Sequence, residues 1–579
     1  MNTGRASVWI LLGGLAALMG FSVYLAATRI YQVDECAELI VAKIVATGQA
    51  KTYLGSIGLL QFPLSWAVHG ATRSADYYLP ARLVMVAIFW LNLVLIAIAT
   101  GERLISRLGL AALFGAATLA PLWDYGFEIR HDNLLLTGLL LIWCVARVRP
   151  KGPPSYLIAG ALAVALQFTA HKAFVYVIPL SLAILVFPPP GHQAPRWKLA
   201  LFWAAGALGM LVALRLFYGA YGATGSWDAH RRNLQFVSNV ATSNDRFGPG
   251  LALGRLLGQT PLLLALVAAA LVAVAVDLGR RGRSALSWDG SLPEALLLGV
   301  AFAALIVNPT PFPYNLVNLV PYAFLFAFRY ASGLFRQMRD TPALLPVVGS
   351  VLVFVHLVPF GIATQRHLDW PNARQTRLMS LAEELTDPIK DPVFDGIGMV
   401  LTRPTIDPRS LLHSLSFAGM IKGSGPQVRD MLAAHPATVV IPNYRTDWLP
   451  PADHAVIQER YVALADDFWV LGKLLPAGGD TFEIFHPGRY RISSLQGSDL
   501  AEERPGGSGR LPAPSDEASF TATLDGVPVS SRPVELTVGK HRIESKPGSQ
   551  PAVVWVGPKL DRVGRLSQSD HRLLFANWY

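Results

Sequence analysis

The sequence predicts a polytopic α-helical membrane protein with a soluble C-terminal region of mixed helix and sheet. Three observations carry this. Of the 579 residues, 52% are hydrophobic and only 15% are charged, against roughly a quarter charged in ordinary soluble domains. Apolar runs long enough to cross ~30 Å of hydrocarbon recur through the first 360 residues. Beyond about residue 361 hydropathy falls, and Pro, Gly, Asp and Arg become common. A single soluble globule, a disordered chain and a fibrous chain are excluded on this composition.

Spans are expected near 8–27, 81–100, 108–123, 133–147, 156–170, 173–187, 199–218, 260–278, 294–308, 315–333 and 342–360, eleven in all. Arg5 precedes the first as in a signal peptide, but no small-residue cleavage site lies before Thr28-Arg29-Ile30-Tyr31, so it reads as an anchor. The loops ERLISR (102–107), RVRPKG (147–152), PRWK (195–198), GRRGR (279–283) and RYASGLFRQMR (329–339) are basic and share one side. The positive-inside rule makes that side the cytoplasm. Loops 28–80 and 219–259, and everything after about 361, then face outward.

Charge is uneven along the chain. Residues 1–360 hold 26 Lys and Arg against 14 acids, and residues 361–579 hold 23 against 25. The basic excess sits in the apolar half, where it orients a membrane protein rather than binding nucleic acid. Arg29, Lys43, Lys51, Arg73, Arg231, Arg232 and Arg246 nevertheless fall on the outward side. The topology rule does not account for them; an anionic ligand at the outer surface does. Two cysteines, Cys36 and Cys144, make no disulfide framework.

In the outward region, RQTRLMSLAEELT (374–386) has helical spacing, with Leu378, Leu381 and Leu385 on one face. ATVVIPN (437–443) reads as a buried strand and YVALADDFWVLGKLL (461–475) as a mixed segment. A Gly/Ser/Pro-rich linker at about 496–515 separates a domain at 361–495 from a small β-sandwich-like module at 515–579. In that module FTATLDGVPV (520–529) and VELTVGKHRIES (534–545) alternate like strands, Asp525-Gly526 signals a hairpin, and PAVVWVGP (551–558) offers a third strand.

The chemistry-bearing residues cluster in the outward loops. Asp34 and Glu35 stand side by side just beyond the first span, in YQVDECAELIVAKIVATGQ (31–49). Asp34 can cap the adjoining amphipathic segment, with Glu38 completing its first turn. It can also act as general base on an acceptor, and the two roles are compatible. DYGFEIRHDNLLL (124–136) packs Asp124, Glu128, Arg130, His131 and Asp132 between two apolar spans. Charges at such depth are functional candidates, although a locally paired loop, or Asp132 as a helix cap, also fits. His171 and Lys172 nearly make up the connection in FTAHKAFVYVIP (168–179), where Lys172 either snorkels or holds a phosphate as a point charge. WDAHRRNLQFVSN (227–239) supplies His230, Arg231 and Arg232, and NPTPFPYNLVNLVP (308–321) supplies Tyr314, Asn315 and Asn318. The bland readings there are a solvated or headgroup-facing surface and the satisfaction of broken-helix backbone. No P-loop, GxGxxG, CxxC, HExxH or GxSxG occurs. No ligand spacing is diagnostic of a metal, so the cofactor is unknown and a divalent cation stays open.

Taken together these residues resemble the GT-C superfamily of polytopic, polyprenyl-phosphate-dependent glycosyltransferases, among them protein O-mannosyltransferases and the bacterial enzymes that place aminoarabinose on lipid A. Asp34-Glu35 matches the acidic pair after the first span, EIRHD (128–132) the charged motif of the second outward loop, and GLLQFPLSWAVHG (58–70) the Gly/Pro stretch leading to the second span. The resemblance covers residues 8–360, the expected catalytic domain being 1–360. It implies transfer of a sugar from a polyprenyl-phosphate donor to a lipid, glycan or protein acceptor, with inversion at C1. Asp34 would be the base, with Glu35 or Asp132 in support. Lys172, Arg231, Arg232 and Arg130 would bind the donor phosphate, and Glu128, His131, His171, Tyr314 and Asn315 would line the substrate site.

Two other classes compete: a lipid-linked sugar flippase or transporter, and a non-catalytic glycan-assembly protein. A transporter predicts inverted repeats and broken helices at the midplane, and the charges instead cluster at the outward surface. An assembly protein leaves the acidic and basic loops without work. The composition, the near absence of cysteine and the short basic loops point to a bacterial inner membrane, with the site and C-terminal region in the periplasm.

Overall fold

The computed structural model describes residues 3–579 apart from 54, 149–151, 187–193, 242–247, 283–291, 309–310, 338–344, 407–411, 413–419, 421–426, 466, 496–521, 531, 548, 558–573 and 576–579. The expected linker at 496–515 lies outside the described residues, as do 149–151, 283 and 338–339 of three basic loops and 342–344 of the last expected span.

Helices run in the order α1 (Thr3–Thr28), α2 (Val33–Ala46), α3 (Gln61–Ala67), α4 (Ser74–Ala99), α5 (Arg107–Ala117), α6 (Ala120–Tyr125), α7 (His131–Trp143), α8 (Pro153–Gln167), α9 (Ala173–Val186) and α10 (Arg196–Ala220). Next come α11 (Thr224–Ala241), α12 (Gly250–Gln259), α13 (Pro261–Arg281), α14 (Leu292–Val307), α15 (Val320–Gln337), α16 (Leu345–Asp369) and α17 (Ala373–Leu385). Among the described residues, four helical stretches are long and apolar enough to cross a membrane: Ser7–Thr28, Ser74–Ala99, Arg196–Ala220 and Pro261–Arg280. Arg107–Ala117, His131–Ala146, Pro153–Gln167, Ala173–Val186 and Glu294–Val307 are shorter apolar helices.

Several expected spans have different bounds: the last runs on to Asp369, and that expected at 315–333 becomes a helix only from Val320, after the turn Pro313–Asn318. The helix expected at 81–100 starts at Ser74, which is buried. The stretch 108–123 is two helices, not one. Leu119 is extended (φ −76°, ψ 114°), and Pro121 opens α6. Pro121 stands in the first turn of α6, where its missing N–H costs nothing, but it cannot extend the hydrogen-bond ladder of α5. Elsewhere the helices pack closely where side chains are smallest. A Cβ on Gly160 of α8 would fall on the Trp203 carbonyl, and one on Gly206 of α10 on the Leu157 carbonyl. The two backbones therefore meet through a reciprocal pair of glycines, as small residues permit in membrane bundles.

The C-terminal region docks on the loop after α1. Ile30 N–H donates to Trp370 O (2.8 Å) and Asn372 N–H to Thr28 O (2.8 Å). Gln375 of α17 accepts from Tyr31 N–H (2.6 Å) and donates to Tyr31 O (3.0 Å). Lys43 donates to Leu401 O (2.5 Å), and Glu383 accepts from Ser74 N–H and Oγ–H (2.6 Å each). The loop 28–80 and the C-terminal region thus lie at the same end of the helices.

This region adds α18 (Val428–Ala434), α19 (Pro451–Arg460) and the strands β1 (Val393–Phe394), β2 (Val439–Val440), β3 (Tyr461–Ala465), β4 (Phe468–Leu474), β5 (Gly479–Ile484), β6 (Gly488–Leu495), β7 (Ala522–Leu524), β8 (Val527–Val529), β9 (Val534–Leu536), β10 (Gly539–Ser545) and β11 (Gln550–Trp555). One sheet has the order β1-β2-β4-β11-β6-β9, with β3 also on β4; the other has β5-β10-β7-β8. The hairpin expected at Asp525-Gly526 forms: both residues have positive φ (52° and 81°), and Leu524 faces Val527. The third strand expected in that module, β11, does not join the sheet of β7, β8 and β10. It lies antiparallel between β4 and β6, with Val553 opposite Lys473 and Ile492. Likewise β5 pairs with β10. Strands from 515–579 are thus interleaved with strands from 361–495, not set apart from them in a sheet of their own.

Candidate active site

α2 places the two neighbouring acids in different surroundings, because successive helical side chains are turned about 100° apart. Glu35 points inward and is fully buried. Its carboxylate takes Arg82 Nε (2.9 Å) and Nη2 (2.6 Å), Gln32 N–H (2.8 Å) and Ile129 N–H (3.2 Å). Burial opposes ionisation, but Arg82 outweighs it and holds the Glu35 carboxyl below the usual carboxylate range. The first-turn contact of α2 is therefore made by Glu35 to Gln32, and not by Asp34, whose side chain is 33% exposed and pairs with Arg130.

Arg130 is the hub of the site. Its guanidinium lies 3.5 Å from Asp132, 4.0 Å from Glu128 and 3.6 Å above the centre of the Tyr314 ring. Asp132 is buried and pairs with Lys172 as well. It is the second residue of α7, whose N-cap is Arg130, so it is not the helix cap. Burial alone would raise its pKa, but Lys172, His131 and Arg130 together hold it far below the usual carboxylate range. Lys172 donates to Asn315 Oδ1 (2.6 Å) and lies 5.0 Å over the same Tyr314 ring. The turn Pro313–Asn318 thus gives Lys172 an acceptor and both cations an aromatic face.

Glu128 lies behind this chain, buried, 3.7 Å from Arg29 and 4.0 Å from Arg130. Burial pushes its carboxyl up to about 8, against the pull of those two cations. His131 takes part from the other side. Its Nδ1 is 2.7 Å from Glu38 Oε1, and Asp132 and Glu38 raise its pKa against the effect of burial. His171 pairs with His230 (3.3 Å), whose Nε2 reaches Ile57 O (3.1 Å). Burial, with smaller contributions from His230 and His131, lowers His171 to about 4, which leaves it neutral near pH 7.

The structure therefore brings Asp34, Arg130, Asp132, Lys172, Tyr314 and Asn315 into one connected chain, with Glu128 and His131 at its sides. Glu35 stands outside it, in the pair with Arg82. Arg231 and Arg232 are exposed on α11, a helix that meets the site through the His230–His171 contact. No group of three or more His, Cys, Asp or Glu converges to hold a metal among the described residues, and Asp34 and Asp132 each already face a cation.

Sequence reasoning left three contributors out of the site, Glu38 having been read only as part of the first turn of α2. Glu38 pairs with His131 and with Gln61; the available signal was its position four residues after Asp34, on the same face of α2. Arg82 sits inside an apolar run, where a lone arginine asks for a buried partner. Tyr444, from the C-terminal region, is near enough that the Asp34 carboxylate, after burial, helps to raise its hydroxyl pKa. No local pattern announces that approach.

By overall structure the chain is similar to ArnT from Cupriavidus metallidurans bound to undecaprenyl phosphate, at 13% identity and a TM-score of 0.51, covering 81% of this chain and 98% of ArnT. Two structures from Archaeoglobus fulgidus are also similar. The oligosaccharyltransferase AglB with an inhibitory peptide and a dolichol-phosphate has 10% identity, a TM-score of 0.46 and coverage of 92% and 76%. The oligosaccharyltransferase tethered with an acceptor peptide has 12% identity, a TM-score of 0.44 and coverage of 82% and 73%. No family model matches the sequence, and no curated protein matches it. The likeness to ArnT extends over nearly all of that protein, and at the level of fold it bears out the resemblance to the GT-C membrane glycosyltransferases.

Proposed function

We propose that this chain is a polyprenyl-phosphate-dependent glycosyltransferase acting at the outer face of a bacterial inner membrane, with the eleven-span topology and the outward C-terminal region expected from the sequence. The observation that carries the reading is the chain Asp34–Arg130–Asp132–Lys172. A partly exposed carboxylate adjoins two cations that share one aromatic platform. A sugar transfer that releases a phosphate needs a base on one side and positive charge on the other.

In the proposed reaction Asp34 takes the proton of the acceptor hydroxyl or amine. The acceptor atom forms its bond to C1, and the C1–O bond to phosphate breaks with its electron pair on the leaving polyprenyl phosphate. One displacement inverts C1. Lys172 and Arg130 stabilise the charge that develops on the leaving group. An arriving phosphate draws Arg130 from Asp34 and leaves that carboxylate free to act. Arg231 and Arg232, exposed on α11, guide the anionic donor inward. Asp132 holds the two cations in place, and Glu35 positions α2 by fixing it to Arg82. The test is transfer of label from lipid-linked sugars of the host membrane by protein in nanodiscs. Transfer by the wild type and its loss in Asp34→Asn supports the reading; donor binding without transfer to any acceptor overturns it.

A further inference from the structure

Between the two sheets of the C-terminal region lies a cavity of about 290 Å³ that the transfer reaction does not use. Its floor is apolar, with Tyr490 of β6 and Val553 of β11 both buried. Its wall carries three cations, Arg460, Lys473 and Lys540, against Glu459 and Glu483. Glu459 is engaged by Lys473 at 3.3 Å, which leaves positive charge in excess around the opening.

Arg460 is the unusual member. It ends α19, and its guanidinium carbon stands 3.9 Å over the centre of the Phe485 ring, which fixes the plane of the group. Its Nη1 is buried and has no hydrogen-bond partner among the described residues. A buried donor without an acceptor is costly, and arginine cannot relieve the cost by losing its proton. An entering carboxylate or phosphate would supply the missing acceptor in the geometry that a planar guanidinium favours. The volume is at the lower end of small-molecule pockets, which run from roughly 300 Å³ upward, so the occupant is about one ring in size.

We propose that this cavity binds a small ligand bearing a carboxylate or phosphate, of the size of a single sugar residue, with Arg460 as its anchor. The site is independent of the transfer chemistry and stands whether or not that reading holds.

The test uses the full chain in nanodiscs, titrated with glucuronate, glucose 6-phosphate, inorganic phosphate and glucose by ligand-observed NMR. Saturable binding of glucuronate or glucose 6-phosphate, with none of glucose, is expected, and the preferred probe tells carboxylate from phosphate. Arg460→Ala is expected to weaken that binding at least about tenfold, and Arg460→Lys to restore part of it. If Arg460→Ala does not fold, Phe485→Leu must show the weakening, since it releases the guanidinium without removing its charge. Saturation by none of the charged probes, or affinity unchanged in these variants, overturns the proposal.

Discussion

Arg82 grips Glu35 at two points, 2.9 Å from Nε and 2.6 Å from Nη2, with neither side chain exposed to solvent. Arg82 also donates to the carbonyls of Ala26, Arg29 and Ile30, so this one residue ties the end of α1, the start of α2 and the body of α4. Removing one partner of such a pair leaves a buried charge uncompensated, at about 3–5 kcal/mol. Glu35→Ala should lower the thermal midpoint in detergent sharply, while Asp34→Asn stays near wild type. A Glu35→Ala protein of normal stability that lacks activity would return Glu35 to the chemistry.

Lys172 is expected to act on the donor phosphate. Lys172→Ala should weaken donor use about tenfold to a hundredfold, the range for a hydrogen bond to a charged group, with the loss divided between KM and kcat. Arg130, 3.5 Å from Asp132, stays to neutralise that buried acid, so the variant should fold. Steady-state kinetics with varied donor at saturating acceptor checks this. An unchanged KM and kcat would remove Lys172 from the site.

Glu128 sets a pH dependence of stability. Its folded-state value is raised to about 8 from 4.5, so the folded protein holds a proton that the unfolded chain releases earlier. The stabilisation this gives is complete below about pH 4.5 and is lost as pH rises through 8. Thermal midpoints from pH 5 to pH 9 should fall for the wild type by more than for Glu128→Gln, in which that group no longer titrates. Parallel curves for the two would contradict the burial of Glu128 between Arg29 and Arg130.

The contact of α8 with α10 makes a packing prediction. Gly160→Ala would drive a methyl group onto the Trp203 carbonyl, so the helices must separate. Overpacking of this kind costs about 1–3 kcal/mol. Gly209, on the same helix as Gly206 but with nothing close to its would-be Cβ, should accept alanine without loss. Midpoints of the two variants measured side by side separate close approach from helix propensity.

Hydropathy and turn chemistry made much of this fold legible. Apolar composition marks Ser7–Thr28, Arg196–Ala220 and Pro261–Arg280 as helices able to cross a membrane, and Asp525-Gly526 marks a two-residue hairpin because both positions need positive φ. The site was legible in its members more than in its wiring. EIRHD and the later His171-Lys172 stand out as charges between apolar runs, but nothing local says that Lys172 meets Asp132 or that Asn315 holds Lys172. Asp34 and Glu35 look equivalent in sequence; a turn of the helix and an arginine 47 positions away separate them. Strand partners are equally silent, since alternation tells which face is buried and not which strand lies alongside.

The position of β11 bears on the order in which this protein can be built. Residues 550–555 fill the slot between β4 and β6, two strands translated well before them. During synthesis those earlier strands wait with open edges, which invite pairing with other chains. The sheet closes late, through contacts distant in sequence, and such closure is slow. A ribosome stalled after residue 495 would therefore hold a chain whose described helices have all been made but whose sheet lacks its central strand, a natural substrate for proteolysis.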